Sequence, residues 1–122
     1  MNIWCFGPEN TGSNMLLDKT KGLQYMKDIK DHMCTAFGNA TKKGALIEEE
    51  TRGIRTNIVD CHLHTDSAHR GDGQIIPAAR RLFYACQLAS VPTLYEPIFY
   101  CEINAPTQVL GGIYQVLSQR RG

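Results

Sequence analysis

Several absences bound what this chain can be. Its 122 residues carry 13 Lys and Arg against 12 Asp and Glu, a net charge of +1. No global field therefore selects nucleic acid as a partner, and any RNA contact has to be local. No apolar run approaches the roughly 20 residues that a membrane-spanning helix needs. The N-terminus has no basic stretch followed by an apolar one, so nothing argues for secretion. The five cysteines (Cys5, Cys34, Cys61, Cys86, Cys101) are odd in number and never spaced C-x-x-C. That fits reduced thiols in a cytoplasmic protein better than disulfides or a zinc knuckle. No G-x-x-x-x-G-K-[ST] run occurs, so the chain carries no P-loop for GTP. There are no internal repeats and no low-complexity tract.

What remains is a globular chain. Hydrophobic residues make up 43% and charged residues 20%, which excludes a disordered segment. A chain of this length can bury roughly two-thirds of its unfolded surface. Ile3–Phe6 reads as a short strand stopped by Gly7-Pro8, and Met15–Leu17 as a brief second one. Asp18 or Thr20 is placed to cap a helix running from Lys21 to Lys42. Leu23, Met26, Ile29, Met33, Phe37 and Ala40 recur there at three- and four-residue steps. Lys42-Lys43-Gly44 ends it with cations and a glycine stop. Glu48-Glu49-Glu50 reads as a solvated run. Ile54–Leu63 is β-type, and Pro77 suits the first turn of a second helix, Ala78–Ala89. Ile98–Ile103 reads as another strand, and Pro106 opens a third helix with Val109, Ile113, Val116 and Leu117 on one face. The class is α+β.

The stretch IVDCHLHTDSAHRGDGQ, residues 58–74, holds three of the four histidines. Asp60-x-His62-x-His64 has the shape of an amidohydrolase metal motif. His62-x-His64-x-Asp66 has that of the opening of a metallo-β-lactamase motif. Alternate strand residues share a face, so two imidazoles could meet one Zn²⁺. A small metal-dependent hydrolase using His62, His64 and Asp66 is therefore one reading. Against it, a catalytic zinc takes three protein ligands from separate elements, and an amidohydrolase barrel needs about 250 residues. A plain structural role, with histidines hydrogen-bonded at a strand end, is a second reading.

The third reading is a family resemblance. Leu63-His64-x-Asp66-x-x-His69-Arg70-Gly71-x-Gly73-Gln74-Ile75-Ile76-Pro77 resembles the diphthamide loop of the elongation factor 2 family, the archaeal and eukaryotic translocases. Ile3-Trp4-Cys5-Phe6-Gly7-Pro8, the Lys21–Lys42 helix with Gly44-Ala45, Arg80-Arg81, Glu96-Pro97 and Gly111-Gly112-Ile113-Tyr114 follow in family order. The resemblance covers residues 3–122. The spliceosomal GTPase paralogue shares the H-R-G-G-G-Q-I-I-P run but diverges upstream, where Leu63-His64-x-Asp66 favours the translation factor.

The resemblance implies a fragment: residues 1–92 as a domain IV-like arm with the ribosomal-protein-S5-domain-2-like βαβα fold. Residues 93–122 would be the first half, one strand and one helix, of a ferredoxin-like domain V module. It implies no enzyme activity for the fragment, whose parent would be a translational GTPase using GTP and Mg²⁺. It implies a ribosomal partner, the small-subunit decoding-centre RNA and the tRNA–mRNA duplex, which the tip enters during translocation. His69 would be the diphthamide residue, the substrate of diphthamide-synthesis enzymes and of ADP-ribosylating toxins. His64, Asp66 and Arg70 would contact RNA beside it, with Gly71 and Gly73 shaping the loop.

The residues read consistently with this. Exposed loops between rigid elements concentrate binding residues, and a guanidinium offers a planar fork for phosphate. His69 is expected at the far tip, pointing away from a core of Leu23, Ile29, Phe37, Ile58 and Leu82. The sequence departs from the family's H-R-G-G-G-Q at Asp72, where a positive φ would strain an aspartate. His62 also stands where the family more often has a small polar residue.

Overall fold

A computed structural model describes residues 2–122. Three strands form one sheet in the order β1 (Asn2–Gly7), β2 (Asn14–Asp18), β3 (Arg55–Ile58). β1 and β2 are antiparallel, and β2 and β3 parallel. A parallel pair requires a crossover, and helix α1 (Met26–Lys42) supplies it. Helix α2 (Asp72–Ala89) packs on α1. Helix α3 (Leu110–Gln119) comes last. The chain is a small mixed α+β protein, as its order of apolar patterns predicts.

The core lies between the sheet and the two helices. On α1, Met26, Ile29, Met33, Ala36, Phe37 and Ala40 are buried, the face that the three- and four-residue steps mark. Leu16 and Ile58 meet them from the sheet, and Ala79 and Phe83 from α2. The Phe37 and Phe83 rings meet edge to face, centroids 5.5 Å apart, a geometry aromatic quadrupoles favour. Asn14, fully buried, acts as a polar rivet. Its Nδ2 donates to the Gly7 and Thr51 carbonyls at 2.9 and 2.8 Å, and its Oδ1 accepts from Ile54 N at 3.0 Å. One amide thus joins the start of β2 to the end of β1 and to the approach to β3. Any side chain at Gly12 would collide with the Gly7 carbonyl, which fixes glycine in the β1–β2 turn.

Several sequence expectations move. α1 starts at Met26, not Lys21. Gly22 and Tyr25 have positive φ, 69° and 63°, and the Asp18 carboxylate is engaged with Thr20 N and Oγ1 instead of a helix end. β3 stops at Ile58, because its partner β2 stops at Asp18, the residue opposite. Val59 is consequently exposed. α2 begins at Asp72, so Pro77 lies in its second turn and not its first. Ile75 and Ile76 pack against the core; their burial draws the turn ahead of the proline into the helix. Leu82 is exposed, and its neighbour Phe83 is the core residue. Residues 98–103 form no strand. Both sides of that segment lack a ladder partner, and Ile98, Phe99 and Tyr100 are 96, 79 and 93% exposed. The third helix forms, after a short 3₁₀ turn at Thr107–Val109, but buries no residue.

Candidate functional site

The histidine segment connects β3 to α2. Residues 59–64 are irregular, and Ser67–Arg70 forms a 3₁₀ turn directly ahead of α2. Asp66 caps that turn: its carboxylate accepts from Ala68 N at 3.0 Å, and its carbonyl from His69 N at 3.2 Å. An aspartate two residues ahead of a free amide is the usual Asx arrangement. His64 Nδ1 accepts from Asp66 N at 3.0 Å, which puts the proton of a neutral His64 on Nε2.

These bonds bring His64, Asp66 and His69 together. The His69 Nδ1 lies 3.4 Å from Asp66 Oδ2. The His64 and His69 rings are tilted at 44° with centroids 4.4 Å apart. His69 stays open, its side chain 52% exposed, and so points away from the core as expected. His62 is 98% exposed, with only Asp60 nearby at 3.9 Å. The metal reading required residues 60–66 to be a strand with a shared face, and that segment is not one. Among the described residues, no three His, Cys, Asp or Glu side chains converge as a metal-ion site.

Arg70 corrects the expectation of a phosphate fork. Its side chain is only 7% exposed. Nη1 donates to the His64 and Thr65 carbonyls, both at 2.7 Å, and Nη2 to Asp28 Oδ2 at 2.9 Å. The guanidinium carbon sits 4.1 Å over the Tyr25 ring. Charge-assisted bonds of this kind are roughly twice as strong as neutral ones, and the planar fork suits several acceptors at once. Arg70 faces inward for that reason. Asp28 and Tyr25 therefore belong to the site. No local signal marks them: Asp28 reads as an ordinary first-turn acid of α1, and it meets Arg70 across 42 positions.

The glycines also behave differently. Gly71 has φ −70° and ψ 163°, extended backbone that any residue adopts, and Gly73 is helical. Neither makes a sharp turn here. Asp72 is the first helical residue, not a strained loop position. Its carboxylate accepts from Gly73 N at 2.7 Å, and a negative charge suits a helix N-terminus.

A three-stranded sheet with an α1 crossover, a second helix, and an exposed histidine turn between sheet and helix together define a small mixed α+β arm. The chain matches the family described as elongation factor G, domain IV, over residues 1–90, and it belongs to that family. It is thus a translation elongation factor domain IV, of a kind that works at the ribosome. The match ends within a residue of the end of α2.

Proposed function

We propose that the segment is the domain IV tip of a factor of the elongation factor 2 type, with His69 as its diphthamide residue. The observation that carries this is the placing of His69. It stands exposed in a 3₁₀ turn that opens the H-R-x-x-x-Q-I-I-P run, inside the stretch matched to domain IV. A histidine that must accept a large cationic extension needs an open ring edge, and with Asp66 Oδ2 3.4 Å from Nδ1 the side chain is still 52% exposed. His64 and Asp66 hold that ring and lie beside it where the RNA would come.

In this reading the tip enters the ribosomal A site and blocks backward slippage of tRNA and messenger. Contacts to RNA backbone and shape suit a factor that must accept every codon. GTP and Mg²⁺ belong to a separate GTPase domain of the parent. The diphthamide-synthesis enzymes and ADP-ribosylating toxins act on His69 in the cytoplasm.

The test uses a full-length factor carrying residues 1–90 in place of its own segment, expressed in cells that make diphthamide. Mass spectrometry is expected to place the modification on His69, and His69→Ala to abolish toxin-catalysed ADP-ribosylation. Loss of an exposed side chain typically changes stability by no more than about 0.5 kcal/mol, so the variant stays folded. Modification on His62 or His64, or none at all, overturns the reading.

A further inference from the structure

We propose that Arg70 is a positioning residue that latches the His64–His69 segment onto the first turn of α1 and so presets the exposed His69 ring. The name of what is presented rests on the reading above; the latch itself rests on geometry alone. Four contacts converge on one guanidinium. The carbonyls of His64 and Thr65 come from the irregular segment, the Asp28 carboxylate from the first turn of α1, and the Tyr25 ring from the residue preceding that helix. The backbone of Arg70 closes the 3₁₀ turn that contains His69.

Apart from the guanidinium, the segment meets the body through Cys61 and Leu63, which pack against the core ahead of the histidine turn. His62 is exposed, residues 59–66 make no ladder, and the remaining bonds of Asp66 and His64 are internal to the turn. Those internal bonds shape the turn but do not fix it to the rest of the fold. Arg70 does, and it fixes the side of the turn on which His64 and His69 lie 4.4 Å apart. The Nε of Arg70 is buried with no partner. A buried donor left open is tolerated where the other contacts of the group outweigh it, consistent with a residue kept for its Nη contacts.

A lysine in place of Arg70 separates this role from a phosphate contact. It keeps the charge, but one nitrogen cannot reach both carbonyls and Asp28 while stacking on Tyr25. The experiment uses the 122-residue chain, unmodified, so it needs neither diphthamide nor ribosome. Amide exchange and ring-to-ring nuclear Overhauser contacts are measured for the native chain, for Arg70→Lys and for Asp28→Asn. The expected result is a loss of the His64–His69 ring contact and exchange of the His69 amide at least about tenfold faster in Arg70→Lys. Asp28→Asn, at a half-exposed site, should give a smaller change in the same amides. Amides in the middle of α1 and in β2 should stay as they are, because local opening leaves the rest of a fold intact. An unchanged His69 amide and ring contact in both variants overturns the latch. If Arg70→Lys loosens the whole fold, Asp28→Asn alone decides by the same two readouts. Failure of His69 to be modified in cells would leave these results untouched.

Discussion

Burial pushes the Cys5 thiol up to about 12, helped by a hydrogen bond to Cys34 and by its charge, against a smaller opposing pull from Lys30. Burial and the Asp60 carboxylate also raise Cys61. A raised thiol holds its proton when folded, so its stabilisation is complete below the ordinary value of 9.0 and is lost as pH rises from there toward 12. Near neutral pH little thiolate is available at either site. Cys86 and Cys101, both exposed, should therefore alkylate before Cys5 and Cys61 at pH 8, read by peptide mass spectrometry. At Asp72 the structure reverses a sequence expectation. Aspartate looked like a strained intruder among loop glycines, but it begins α2 in helical backbone. Asp72→Gly should lower stability by roughly 0.5–1 kcal/mol, through backbone freedom and a lost N-terminal charge. A denaturant titration with no loss, or a gain, contradicts this. Arg70 carries the matching lesson. Its place in the chain was legible and its direction was not, because burial depended on Asp28 and Tyr25, distant in sequence.

Helix α1 was legible along its apolar face because the steps from Met26 to Ala40 follow its period, and packing satisfied each one. Its start was not, since Tyr25 takes a left-handed conformation that only the folded contacts explain. A β-type run alone did not make residues 98–103 a strand. β propensity is a preference for a paired, half-buried surface, and here no neighbouring strand supplies the pairing. No residue after Phe83 is buried. Beyond α2, the contacts are a Glu96–Arg121 ion pair, both side chains exposed, and the turns around α3. Such a surface pair contributes at most about 1 kcal/mol, against ordering costs of roughly 1–2 kcal/mol per residue. Residues 91–122 should therefore exchange their amides fastest. Protection there equal to that of α1 would show a packing partner absent from this account.

At the scale of the whole molecule, the domain IV family covers 90 of 122 residues, and the sheet, α1 and α2 all lie inside that stretch. The histidine turn is held between the end of β3 and the start of α2, where it leaves the His69 imidazole open. Its likeness to a family loop was visible in the sequence. Its anchoring to α1 was not, because the anchor is a contact between elements and not a pattern within one. The central claim is that this turn is a tip that works in the ribosomal A site. The most direct measurement is cryo-electron microscopy of a pretranslocation ribosome bound to a full-length factor carrying residues 1–90, trapped with a non-hydrolysable GTP analogue. The account predicts residues 64–70 against the decoding-centre RNA and the codon–anticodon helix, with the His69 ring facing that helix and Arg70 still turned inward to Asp28. A bound factor whose His69 turn faces solvent, or touches the ribosome only outside the A site, would contradict it.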